Sequence, residues 1–144
     1  MVALPQLLES VAGWVQTRSD VVGLALFGSH ARGTAGPASD VDFVILTTRP
    51  NDYRTESEWV AEIRWPSADG PLTAWRDADY GMVWSRHLHF ADGTEVELSF
   101  AAPHWARTAP VDPGTQQVIR AGCQILWDPQ AMLRHLVAAV KSGA

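Results

Sequence analysis

An α/β sandwich, helices packed around one mixed sheet, is the fold this chain predicts, on three observations. Apolar residues recur at helical spacing at both ends, at Leu4, Leu7, Leu8, Val11 and Val15 and again at Met132, Leu133, Leu136, Val137 and Val140. Short continuous apolar runs, Val21–Phe27 and residues 41–46, read as buried strands bounded by glycine and proline. Residues 83–90 and 94–100 alternate in polarity around Ala91-Asp92-Gly93, which is a hairpin signal. Helical and strand patterns therefore interleave along the chain, as a layered α/β or α+β sheet fold requires.

Each element follows from its residues. Residues 4–18 form an amphipathic helix, with Pro5 tolerated in its first turn. After the strand Val21–Phe27, residues 28–33 begin a short helix, and residues 34–39, with Gly36 and Pro37, form a loop. The strand over 41–46 closes at Pro50, and residues 55–64 offer a helix through Trp59, Val60 and Ile63. Residues 67–79 are polar and punctuated by glycine and proline, without a periodic signal. In the second hairpin arm Glu95, Glu97 and Ser99 face one way, and Val96, Leu98 and Phe100 the other. Residues 102–114 hold three prolines and read as a loop, 115–122 as a short helix and 124–127 as a short strand. Asp128-Pro129 begins the last helix, aspartate as cap and proline at the first position.

With 144 residues and no repeat or low-complexity tract, the chain is expected to be one domain over 1–144. Mean hydropathy near zero argues against disorder and against membrane residence. The longest apolar run is far too short to span a bilayer. The start of the chain carries Glu9 among its apolar residues and no basic stretch, so no secretory signal is expected. Cys123 is the only cysteine, which excludes an internal disulfide and suits a reducing cytoplasm. A net charge of −5 without a basic stripe disfavours nucleic acid as a partner.

The chemistry concentrates in Gly28-Ser29-His30-Ala31-Arg32-Gly33 and Ser39-Asp40-Val41-Asp42. A glycine-serine turn after a buried strand lets a phosphate approach the backbone, and the serine hydroxyl adds a donor. Asp40 and Asp42 stand at i and i+2 of the next strand and so share a face. Paired carboxylates repel unless a cation lies between them, which points to a divalent metal. An isolated D-x-D is commonly a solvated strand end. Here the apolar run Phe43-Val44-Ile45-Leu46 sets the strand inside the core and leaves the acids at its start, near the glycine turn. A third acid completes a two-metal site. Glu97, between Val96 and Leu98, is favoured over Glu95, which lies nearer the hairpin turn. Ser39 either caps the loop or donates to phosphate, and Arg32 either neutralises pyrophosphate or is solvated.

Gly28-Ser29, Gly33, Asp40-Val41-Asp42 and Val96-Glu97-Leu98 together resemble the signature of the DNA polymerase β-like nucleotidyltransferase superfamily. The resemblance spans about residues 21–46 and 94–100, with glutamate as third acid where aspartate is common. It implies helices over a mixed sheet, and two Mg²⁺ ions held by Asp40, Asp42 and Glu97. It implies that Gly28 and Ser29 bind the triphosphate of ATP or another nucleotide; Ser39 and Arg32 are further candidate nucleotide-binding residues. An acceptor hydroxyl then attacks the α-phosphate and pyrophosphate leaves. The acceptor is expected to be a small molecule of the aminoglycoside kind. The alternatives are a toxin partner modified by a minimal nucleotidyltransferase antitoxin, or a non-catalytic nucleotide-binding protein of the same fold. A homodimer is a further expectation.

Other residues carry two readings. His87 and His89 share a strand face at a spacing that suits zinc, but the sequence suggests no third ligand. Trp65, Trp84 and Trp105 can stack on a base or build the core. Arg86, Arg107 and Arg120 read equally as surface charge or phosphate contacts.

Overall fold

A computed structural model of the chain describes residues 4–36 and 40–143. Its six described strands form one sheet in the order β3-β4-β5-β2-β1-β6. These are β1 (Val21–Phe27), β2 (Val41–Thr47), β3 (Leu72–Asp79), β4 (Val83–Phe90), β5 (Glu95–Ala101) and β6 (Cys123–Trp127). β2 and β5 run parallel at the centre, and every other neighbouring pair is antiparallel. The helices are α1 (Leu4–Val15), α2 (Gly28–Arg32), α3 (Pro50–Thr55), α4 (Trp59–Glu62), α5 (Pro113–Arg120) and α6 (Met132–Lys141). The result is the expected α+β sheet fold.

The alternation of the strands divides the core into two layers. Leu24 and Leu26, Phe43 and Ile45, Leu88, and Val96, Leu98 and Phe100 point to one face, where Leu7, Val11, Tyr53 and Trp59 of α1, α3 and α4 cover them. On the other face Ala25, Phe27, Val44 and Leu46 pack under Ile119 of α5 and Leu133, Leu136 and Val140 of α6. That second layer covers the β2-β1-β6 side. Further along the same face β5 and β4 present Glu95, Glu97, Ser99, Ser85, His87 and His89, so the polar side chains of the sheet gather beside a half-finished helical cover.

Several boundaries differ from the sequence reading. The helix expected over 55–64 is confined to α4 (Trp59–Glu62), and a separate α3 precedes it, with Pro50 in its first turn instead of merely ending β2. Residues 72–79 are an edge strand; most of its residues are exposed, so burial leaves no alternation to read. Residues 102–114 contain a 3-10 turn at Pro103–Ala106. Asp112 caps α5 by accepting from the Gly114 and Thr115 amides, with Pro113 first in the helix. Asp128 accepts from the Leu133 and Arg134 amides of the last helix, but the N-cap position is Ala131, α6 starts at Met132 and Pro129 lies before it.

The aromatic expectations resolve toward packing for two of three tryptophans. Trp84 stacks on Phe100 with ring centroids 4.8 Å apart, and its indole donates to the Pro50 carbonyl. Trp65 packs on Phe90 and donates to the Val60 carbonyl. Arg86 is buried: it makes a two-pronged contact with Asp77 at 2.8 and 3.0 Å and lies over the rings of Trp59, Trp75 and Trp84. It is a core cation, held by its carboxylate and an aromatic cage.

Candidate active site

The turn between β1 and α2 and the first residues of β2 meet because β1 and β2 are antiparallel neighbours with Phe27 opposite Asp42. Gly28 therefore follows directly beside the Asp42 carboxylate. Its φ is +73°, and a β-carbon built there would lie 3.1 Å from Asp42 Oδ2. Both facts require glycine. The turn is braced from β6: the Gly28 amide donates to the Gly122 carbonyl at 3.2 Å. At Gly122 a β-carbon would fall 2.6 Å from the Arg32 stem, so Gly122 keeps space for that side chain. Gly28→Ala is expected to cost about 1–2 kcal/mol, measured by denaturant unfolding, because the left-handed backbone disfavours a β-carbon.

Parallel pairing of β2 with β5 sets Asp42 directly opposite Glu97, both on the same face. Glu97 and not Glu95 is thus the acid that meets Asp42. Burial first, then the negative charges of Glu97 and Asp40, push the Asp42 carboxyl up to about 7. Asp40 is also raised, chiefly by burial and by a hydrogen bond and charge from Glu95. Glu95 is lowered, first by that same hydrogen bond with Asp40. The four acids Asp40, Asp42, Glu95 and Glu97 therefore form one electrostatic group. Asp42 Oδ1 is buried with no hydrogen-bond partner. An orphaned carboxylate oxygen amid further carboxylates is a set of hard oxygen donors that fits Mg²⁺.

The sign of the linkage is testable. Asp42 holds its proton in the folded chain up to about pH 7 and loses it near 3.8 when unfolded, so the metal-free protein loses stability as pH rises through that window. Discounted for partial exposure, the loss is on the order of 1–3 kcal/mol. Urea unfolding across the window is expected to show this slope, flattened in Asp42→Asn.

Of the other residues singled out, Ser29 sits half-buried in the first turn of α2 beside Gly28. Gly33 ends α2 in the left-handed conformation, at φ +75°. The Arg32 guanidinium donates to the Ala121 carbonyl at the end of α5. Ser39 lies outside the described residues. A cleft of about 490 Å³ opens from Gly28, Asp42 and Glu97 toward Trp105, Tyr80 and Met82. Trp105 is buried against Phe27 and lines this cleft, the one tryptophan of the three to reach it. Sequence reasoning passed over Gly122 and Arg76. Arg76, opposite His87 on β3, places Nη2 3.2 Å from His87 Nδ1.

Residues 8–78, just under half of the chain, match the family model of the nucleotidyltransferase domain. The matched stretch, which holds the glycine turn and the Asp40–Asp42 pair, is similar to the nucleotidyltransferase domain of the DNA polymerase β-like superfamily, a family of nucleotidyl-transferring enzymes. Among solved structures the chain is similar to one described as the crystal structure of a toxin-antitoxin with AMP-PNP. That likeness has a TM-score of 0.50 at 16% identity and covers 94% of this chain and 85% of the other. At that identity it speaks for the fold. No curated protein matches the chain. Among the described residues no helix is long and apolar enough to cross a membrane.

Proposed function

We propose that this protein transfers a nucleoside monophosphate, AMP from ATP, to an acceptor hydroxyl and releases pyrophosphate. The observation that carries the reading is the Asp42–Glu97 pair, in register on parallel neighbours with one buried carboxylate oxygen unpartnered. Asp40, Asp42 and Glu97 are the residues that would hold Mg²⁺, two ions in the full site. Bound there, Mg²⁺ neutralises the developing charge on phosphate and lowers the pKa of a hydroxyl.

The remaining roles belong to the chain itself. Gly28 leaves room for phosphate beside Asp42, and the Ser29 hydroxyl donates to a phosphate oxygen. Arg32 and Ser39 are assigned to the triphosphate as well; for Arg32 this requires release of its bond to Ala121. Glu97 or the metal-bound carboxylate cluster would accept the acceptor's proton. The cleft beyond it, apolar at Trp105, Tyr80 and Met82, is the space in which the acceptor would sit beside the acids.

Two acceptor classes stand side by side. A small hydroxyl compound fits a cleft of about 490 Å³. A hydroxyl on a partner protein is favoured by the toxin-antitoxin identity of the similar structure. With a single cysteine and no membrane-crossing helix among the described residues, the cytoplasm is the proposed compartment. Incubation with ATP labelled at the α- or γ-phosphate, Mg²⁺, aminoglycosides and a co-expressed partner protein tests the reading. The α-label is expected on one acceptor class and the γ-label in pyrophosphate. Nucleotide binding with neither product would instead mark a non-catalytic binder.

A further inference from the structure

His87, His89 and Glu95 adjoin the Asp42–Glu97 pair and have no role in the reaction above. The β4–β5 register puts His89 opposite Glu95 and His87 opposite Glu97, so all three point to the open face of the hairpin. One ligand atom from each lies within 4.8 Å of the others. The two imidazoles are stacked, 5.1 Å apart and 6° from parallel. His89 Nδ1 is 2.9 Å from Glu95 Oε1.

The decisive atom is His87 Nε2. It is buried without a hydrogen-bond partner. Its nearest acceptors, Asp40 Oδ2 and Glu95 Oε2, are each 3.5 Å away. A charge-assisted hydrogen bond closes to about 2.7–2.9 Å, so these contacts are too long for one. Two ligands on a tetrahedral zinc, with metal–ligand bonds of about 2.0–2.1 Å, stand about 3.3–3.4 Å apart. The 3.5 Å separation of His87 Nε2 from Glu95 Oε2 is close to an edge of such a tetrahedron. We infer that His87 Nε2, His89 Nδ1 and Glu95 form a site for a transition-metal ion of the Zn²⁺ class, with the fourth position left to water because Asp40 belongs to the neighbouring acids.

Mixed imidazole and carboxylate donors select Zn²⁺ or Co²⁺ over Mg²⁺, which distinguishes this site from the all-oxygen acids beside it. Arg76 sets its control. A guanidinium only donates, so in the metal-free protein His87 Nδ1 accepts and Nε2 carries the ring proton. Metal entry needs the other tautomer: Nε2 gives up its proton, Nδ1 gains one through solvent, and Arg76, on the exposed edge strand, turns away. Removing Arg76 therefore favours the metal-bound ring.

Co²⁺ titration of the full chain, with Mg²⁺ in excess to occupy the neighbouring acids, reads the site by visible ligand-field absorption without any nucleotide. Wild type is expected to develop tetrahedral-type bands that Zn²⁺ bleaches. His89→Ala and Glu95→Gln should each bind Co²⁺ at least about tenfold more weakly, and Arg76→Ala as tightly or more so. Asp42→Asn should bind as wild type. Circular dichroism in chelator confirms that each variant is folded, and the two ligand variants serve as replacements for one another. Absence of the bands in wild type, wild-type affinity in both folded ligand variants, or loss of binding in Asp42→Asn each overturns the site. None of these outcomes depends on nucleotidyl transfer.

Discussion

Asp42→Asn is expected to lower nucleotidyl transfer by at least about 10³-fold, equivalent to about 4 kcal/mol of transition-state stabilisation. The substitution keeps size and shape but removes the charge that a divalent cation needs. Asp42 is also the centre of the acid group, opposite Glu97 and against Gly28. The same change should stabilise the metal-free protein above neutral pH, because it removes a buried charge whose pKa stands at about 7. Activity and stability thus move in opposite directions, which separates a ligand role from a packing role. A variant that lost both would mean that Asp42 simply holds the fold. Glu97→Gln should behave similarly in the transfer assay, whereas Glu95→Gln should retain more activity, since Glu95 pairs with Asp40 and the histidines.

Phe100→Ala is expected to produce the largest loss of stability, about 3–5 kcal/mol. Phe100 is fully buried and stacks between Tyr53 at 4.9 Å and Trp84 at 4.8 Å, with Trp59 edge-on at 5.2 Å. Truncation removes the shared partner of three aromatic rings at once and leaves a void that rigid indoles cannot fill. For a chain of this size the melting temperature should fall by roughly 10 °C. Phe100 lies on the opposite face of β5 from Glu97, so the fraction that remains folded should keep its transfer rate. Thermal unfolding alongside a rate normalised to folded protein checks both parts.

Much of the site was legible before any coordinates. The apolar run of β1 ends at Phe27, directly before the Gly28-Ser29 turn; Asp42 lies in β2 as expected, whereas Asp40 sits one residue before its start. Glu97 was legible through the alternation of β5, but its partnership with Asp42 needed the parallel β2–β5 pairing, which no local pattern reports. The third ligand for the histidines was within reach. The turn at Ala91-Asp92-Gly93 already implies that His89 faces Glu95, whereas alternation within each arm reports faces and not register. β3 was illegible because an exposed edge strand has no buried side to impose a period. Arg86 was ambiguous for a related reason: only tertiary packing supplies its aromatic cage and Asp77.

Calorimetry of Mg²⁺-saturated AMP-PNP binding, roughly one pH unit below the Asp42 value and in two buffers of different ionisation enthalpy, tests most directly whether these carboxylates share a cation. Asp42 is largely protonated there, so wild type should shed a proton on binding and show buffer-dependent heats. Asp42→Asn should bind at least about tenfold more weakly and without that proton. Equal heats in both buffers, or undiminished affinity in the variant, would contradict a metal held between Asp42 and Glu97.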